Sequence, residues 1–320
     1  MSFLVAGVGY IGSKLVEELL RRGERVVGID NFFATDSAVL RRLRREPGFR
    51  LVRGSISNAR TLHTAFSLAG DVEAIFALAA QASAHPDAAT ARYTESTNLL
   101  APRLMLEAAR EFRVPALVFA SSFKVYGEEL PAIVDESTPY GRFRDLSHLS
   151  KCYVEKLLEM YAGLGGMRCV AVRLGIVYGV APVMKLDHRF MTAPNKFCLQ
   201  VVRGEDLVVN PGAERPTGFI HVADAVSALL ASLKFQEYVA VNAATEITSV
   251  AEVARLVARI ASARGHVVNV RAPGPDTSGA TPRVVSILDD AGFAPGHTLR
   301  AGLREVVDYF DRTQAARHVV

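Results

Sequence analysis

The stretch Met1-Ser2-Phe3-Leu4-Val5-Ala6-Gly7-Val8-Gly9-Tyr10-Ile11-Gly12 decides how the chain is read. A short apolar run of strand length meets three glycines, and Leu15, Val16, Leu19 and Leu20 then recur at helical spacing over 12–22. The reading is strand, tight turn, helix. Glycines suit such a turn because one bends the chain, one lets the backbone approach a pyrophosphate, and the last allows close helix–strand packing. The helix N-terminus adds free N–H groups and a positive dipole. Gly7, Gly9, Tyr10, Ile11 and Gly12 are therefore candidate cofactor contacts. Asp30 ends the next apolar run, 18 residues beyond Gly12, with Asn31 after it. A carboxylate there can accept from both hydroxyls of an adenosine ribose and would repel a 2′-phosphate, so the expected cofactor is NAD rather than NADP.

Outward from this unit, apolar runs at Phe3–Val5, Arg25–Ile29, Phe49–Arg53, Ala74–Leu78, Ala116–Ala120 and Cys169–Leu174 alternate with helix-period segments. That alternation predicts a Rossmann-type α/β fold, a doubly wound parallel sheet. Ser37 is a plausible N-cap for a helix ending near Glu46, and Pro102 predicts a kink or a late start in the helix before Arg113. After Gly179 the alternation weakens. Residues 1–179 are read as the NAD-binding domain, to which later segments return, and 180–320 as mainly a smaller substrate-binding α/β lobe. Within it, 180–216 is an irregular substrate-covering region and 271–283 a Pro/Gly/Ser/Thr-rich surface loop before a final helix over Leu299–Phe310.

At 320 residues, half of them hydrophobic, the chain can bury a large core, and no stretch approaches the eighteen apolar residues a membrane span needs. Met1–Val5 reads as a strand rather than a signal peptide, and a cytoplasmic protein is expected. Cys152, Cys169 and Cys198 are odd in number and too widely spaced for a zinc or disulfide framework. They read as reduced core thiols, and no metal is expected. The net charge of +4 is carried largely by arginines on helix faces, such as Arg41, Arg42, Arg44 and Arg45, so nucleic acid is not the expected partner. The excess does favour a polyanionic ligand such as a nucleoside diphosphate.

Further motifs resemble those of the extended short-chain dehydrogenase/reductases, the NAD-dependent epimerases and dehydratases of nucleotide sugars, over essentially the whole chain. Arg53-Gly54-Ser55-Ile56 resembles the segment beside the adenine, with Ser55 where the family usually has Asp. Phe76-Ala77-Leu78-Ala79-Ala80-Gln81-Ala82 resembles the turn beneath the cofactor, and Asn98 the helix Asn that braces the sheet. The resemblance implies that Ser55, Ile56, Leu78, Ala79 and Ala80 join the cofactor site, that the substrate is a nucleoside-diphosphate sugar, and that the chain forms a homodimer.

Ser121-Ser122-Phe123-Lys124-Val125-Tyr126-Gly127 resembles the family's strand-end serine motif, with Ser122 as the hydroxyl that bonds the reacting sugar oxygen. Dehydratases and uronate decarboxylases of the family carry a carboxylate at the position of Lys124, and dehydratases an Asp at that of Phe123. This chain therefore looks more like an epimerase or keto-sugar oxidoreductase, with Lys124 beside the substrate. Ser150-Lys151, with Glu155 and Lys156, matches the lysine end of the family's Tyr-x-x-x-Lys, in which the lysine holds the nicotinamide ribose and the tyrosine moves a proton. Four residues before Lys151 stands Ser147, too weak an acid and too short to replace a phenol.

Three readings follow: His148 or Tyr140 carries the proton; a water held by Ser147 relays it; or the protein binds NAD and a nucleotide sugar without turnover. In the second half, Arg173-Leu174-Gly175-Ile176-Val177-Tyr178-Gly179 resembles the strand that passes the nicotinamide. Asn195 and Arg215 take the places of family residues that grip the diphosphate, Arg215 displaced by two positions because Thr217 occupies the usual one. His221 and Asp224 read as braces of the lobe.

Overall fold

The computed structural model describes residues 1–35, 39–83, 85, 87–274 and 281–317. Its strands are β1 (Ser2–Ala6), β2 (Arg25–Asp30), β3 (Phe49–Arg53), β4 (Ala74–Ala77), β5 (Ala116–Ser122), β6 (Ile133–Val134) and β7 (Arg168–Leu174). They continue with β8 (Ile176–Tyr178), β9 (Leu207–Val208), β10 (Pro216–His221), β11 (Val239–Ala243), β12 (Glu246–Ser249), β13 (Val270–Arg271) and β14 (Arg283–Val284). The helices are α1 (Tyr10–Arg21), α2 (Ala59–Ala69), α3 (Ala91–Glu95), α4 (Ala101–Glu111), α5 (Leu146–Gly163), α6 (Ala193–Val202), α7 (Val222–Ala231), α8 (Val250–Ser262) and α9 (Leu299–Arg317).

Seven parallel strands form the central sheet in the order β11-β7-β5-β4-β1-β2-β3. All five residues of β1 are buried, as a strand covered on both faces requires. β1 is followed outward by β2 and β3 on one side, and β4, β5 and β7 run outward on the other. The winding direction reverses between β1 and β4, and a crevice opens at the carboxyl ends of strands at such a reversal. β11 returns from the second half to pair with β7, Val241 opposite Val172. A three-stranded sheet, β12-β10-β8, supports the smaller lobe, in which α6 packs on α8 and α9. The buried core runs from Val5 and Val16 through Val172 to Phe219, Val257 and Val306.

Pro102 brings no late start, and the irregularity beside it takes the form of a π turn. The helix continues from α3 through one π turn, Ser96–Leu100, into α4, whose first turn holds the proline. The wider turn suits a residue with no N–H to give to the carbonyl four positions back. Ser37 lies outside the described residues. The chain over 39–45 forms two short 3₁₀ turns, Val39–Arg41 and Leu43–Arg45, in place of the expected helix. All three cysteines are buried free thiols.

Candidate active site

A cleft of about 690 Å³ lies at the winding reversal, floored by the glycine turn and the ends of β4 and β5 and covered by residues from 185–196. The turn needs its glycines. Gly7 has φ 95°, and a Cβ on it would meet the Ala79 nitrogen at 2.6 Å, while one on Gly12 would meet the Gly7 oxygen at 1.9 Å. Asp30 fixes this turn to β2: Oδ2 accepts from the Val8 N–H at 2.9 Å and Oδ1 from the Phe32 N–H at 2.7 Å. Burial raises its carboxyl above the usual range, against the pull of those two N–H groups and of Lys185. Each oxygen keeps a lone pair, and the side chain borders the cleft.

Gly7, Gly9, Tyr10, Ile11, Gly12, Asn31, Ile56, Leu78, Ala79 and Ala80 border the same cleft, as the sequence suggests. Ser55 does not: its hydroxyl turns back to Ser57, 2.7 Å away, and Gly54 and Ile56 face the cleft instead. Asn31 donates to the Tyr93 hydroxyl at 3.1 Å, and Phe33 stacks on Tyr93 with ring centroids 4.0 Å apart. These aromatic faces rim the Asp30 end. The residues fit a dinucleotide: a phosphate-sized approach to bare backbone at the turn, a carboxylate where a ribose would meet it, and the buried Thr97 hydroxyl of the π turn, which borders the cleft and has no hydrogen-bond partner among the described residues.

At the other end, Ser122 caps the turn after β5, its Oγ accepting from the Lys124 N–H at 3.2 Å. Lys151 reaches across from α5 and donates to the Ala120 carbonyl at 2.8 Å, with its ammonium 4.6 Å from the Phe119 ring centre. Burial pulls that ammonium down to about 8. Asn98 braces this floor, accepting from the Gln81 N–H at 2.8 Å and donating to the Gln81 carbonyl and the Ser150 hydroxyl.

Ser147 is turned away. It is buried, its hydroxyl donates to the Gln81 carbonyl at 2.9 Å, and it does not border the cleft. Tyr140 is also held elsewhere, donating at 3.0 Å to Glu155, whose carboxylate is fully buried in an ion pair with Arg173 at 2.7 Å. Burial, then the Glu155 charge, raises the phenol further from any useful range. The cleft instead receives His148. Asp145 is the N-cap of α5: its Oδ1 accepts from the His148 N–H at 2.9 Å and its Oδ2 meets His148 Nδ1 at 2.5 Å. That hydrogen bond to His148 holds the Asp145 carboxyl below its ordinary value. An ionised carboxylate only accepts, so the contact places a proton on Nδ1, and in that tautomer Nε2 is the ring atom that can act as a base.

In the second half, Asn195 borders the cleft, but its amide is spent on structure, accepting from the Gly179 N–H at 3.2 Å and donating to the Tyr10 hydroxyl at 3.1 Å. Lys196 beside it borders the cleft as well. Arg215 does not; it pairs with Glu128 at 3.2 Å on the outside, and Thr217 borders the cleft in its place. His221 and Asp224 tie α9 and the turn before it to the lobe, through Glu305 and His297 respectively. The sequence motifs do not point to Asp145, Thr97, Lys185 or Phe33. A signal existed for Asp145, since Asp three residues before His is the spacing of an N-cap and its N3 partner.

A family model described as the NAD-dependent epimerase/dehydratase family matches residues 3–244. The chain belongs to this family. It is an NAD-dependent enzyme. Among similar proteins, a UDP-N-acetyl-alpha-D-glucosaminuronate decarboxylase of Bacillus cytotoxicus is 27% identical over 96% of both chains. An uncharacterized UDP-glucose epimerase of Bacillus subtilis is 30% identical over 73% of this chain and 72% of its own. A Thermus thermophilus UDP-glucose 4-epimerase solved with NAD is 29% identical, with a TM-score of 0.78 over 97% of this chain and 99% of that one.

Proposed function

We propose that this enzyme is a nucleotide-sugar C4 epimerase in which the His148–Asp145 pair moves the proton that the family's tyrosine moves. The observation that carries this reading is that His148 lines the cleft with its Nδ1 fixed by Asp145, which leaves Nε2, with no hydrogen-bond partner among the described residues, as the atom to act as base. NAD held in the cleft would supply a reversible hydride acceptor for the sugar carbon. The chain's own residues do the rest. Ser122 offers a hydroxyl to the reacting oxygen, Lys151 lies one helical turn beyond His148 on the same face of α5, and Gly7 to Gly12 with Asp30 hold the dinucleotide. A dehydratase would need acids where Phe123 and Lys124 stand. The similar proteins act, by their names, on UDP-sugars, which supports a UDP-sugar as substrate, with Lys196 and Thr217 as the cleft residues nearest in sequence to the expected diphosphate contacts. Buried free thiols suit the reducing cytoplasm, and the homodimer follows from family likeness.

The test is product formation from a panel of UDP-sugars, followed by NMR at C4. Interconversion of 4-epimers that His148→Phe abolishes supports the reading. Tight binding of NAD and a UDP-sugar with no turnover would replace it with a silent binding protein.

A further inference from the structure

Lys124 sits two residues beyond Ser122 in the tight turn that ends β5, half-buried at the cleft. Among the described residues its ammonium has no ion-pair partner. The two carboxylates whose charge it feels are committed elsewhere: Glu128 to Arg144 and Arg215, both at 3.2 Å, and Asp145 to His148. Desolvation is the largest influence on this ammonium and pushes its pKa down, so the cation is held in the cleft at a cost. A desolvated charge without a counter-ion is unfavourable, and an anion delivered by the substrate removes that cost.

We infer that the sugar is a uronic acid, and that Lys124 pairs with its C6 carboxylate. The inference rests on the nucleotide-sugar reading above and names the substrate class within it. Ser122 and His148 address the C4 oxygen, and C6 lies two bonds from C4, so a side chain in the same turn as Ser122 is placed for the neighbouring substituent. A neutral hydroxymethyl group would accept one hydrogen bond and leave the charge uncompensated. Lys124 also bears on the outcome of the reaction. Loss of CO₂ from a 4-keto uronate breaks the C5–C6 bond and sends its electron pair into the ring toward the C4 oxygen, discharging the carboxylate. An ammonium paired to that carboxylate stabilises the ground state more than this transition state. The product therefore keeps its carboxylate and differs from the substrate only at C4, a redox-neutral isomerisation.

The experiment is calorimetric titration of the NAD-loaded protein with UDP-glucuronate and with UDP-glucose, for wild type, Lys124→Met and Lys124→Arg. Wild type is expected to bind the uronate about ten- to a hundredfold more tightly, the range of one charge-assisted hydrogen bond. Lys124→Met should erase that preference by weakening the uronate alone, and Lys124→Arg should keep most of it. Equal binding of the two sugars by wild type, or equal weakening of both by Lys124→Met, would overturn the uronate assignment and leave the epimerase reading standing. If neither sugar binds, both readings fall. Mass spectrometry of the product supplies a second readout: an unchanged mass supports retention, and a loss of CO₂ overturns it.

Discussion

His148 holds Asp145 twice, through its backbone N–H at 2.9 Å and its ring Nδ1 at 2.5 Å, so one carboxylate both caps α5 and sets the tautomer of the ring above it. Asp145→Asn separates the two roles. An Asn still caps a helix, but its amide can donate to Nδ1 and place the proton on Nε2, removing the base. Turnover is expected to fall about a hundredfold or more, with the melting temperature within a few degrees of wild type, and His148→Phe should be at least as inactive. Full activity in either variant, measured as 4-epimer formation, would remove the pair from the chemistry.

Ser147 yields the complementary expectation. Its hydroxyl satisfies the Gln81 carbonyl and faces away from the cleft. Ser147→Ala should cost about 1 kcal/mol of stability, one hydrogen bond, and change kcat less than about threefold. A hundredfold loss of kcat would restore the reading in which Ser147 holds a relay water.

NAD over NADP is expected from Asp30, which the turn and β2 lock in place through Val8 and Phe32. Titration of each dinucleotide should show clear discrimination in wild type. Asp30→Ala should narrow it, and because Asp30 also anchors the Val8 N–H, affinity for NAD itself should drop. Unchanged discrimination in the variant would move the ribose site elsewhere.

These residues differ in how visible they are in a sequence. The glycine turn and Asp30 are legible from local spacing at two strand ends, whereas Ser122 and Lys151 are legible only through their resemblance to family motifs. Arg215 was not decidable that way, because its fate depends on Glu128, 87 positions earlier and brought alongside by the fold. Tyr140 likewise goes to Glu155 because Arg173 and Glu155 form a buried pair that gathers hydroxyls around it, Ser121 included. Ser55 fails on a smaller scale, its short side chain bonding within its own turn. The π turn at Pro102 required knowing that α3 and α4 are continuous.

The second lobe supplies a contrast of neighbours. Arg215→Ala should leave the Kd for UDP within about twofold, since the side chain pairs with Glu128 outside the cleft, whereas Lys196→Ala should raise it about tenfold, the loss of one charged contact. Asn195→Ala should act mainly on stability, because the amide ties Gly179 to Tyr10. Calorimetry with UDP reads the first two and thermal melting the third. A large effect of Arg215→Ala on UDP would show that the arginine swings into the cleft when the diphosphate arrives.

Lys151 leaves a mark on stability that is independent of any substrate. Burial brings its folded pKa to about 8, while an unfolded lysine titrates near 10.4, as model compounds do. Below the folded value both states carry the proton and the folded protein bears the full cost of the buried charge. Between about 8 and about 10.4 the unfolded chain binds more protons, so the contribution of Lys151 to stability rises with pH, and it levels off above that window. Lys151→Met keeps the apolar stem and removes the titration. The difference in unfolding free energy, wild type minus variant, should therefore climb by about 3 kcal/mol from pH 7.5 to 10.5, the shift of about 2.4 units at about 1.4 kcal/mol each. Titrations common to both proteins, such as those of the buried thiols and phenols, cancel in the difference. Denaturant unfolding at several pH values measures it. A difference that stays flat, or falls, would mean that Lys151 keeps its proton at its ordinary pKa, with the Ala120 carbonyl and Glu155 outweighing the desolvation.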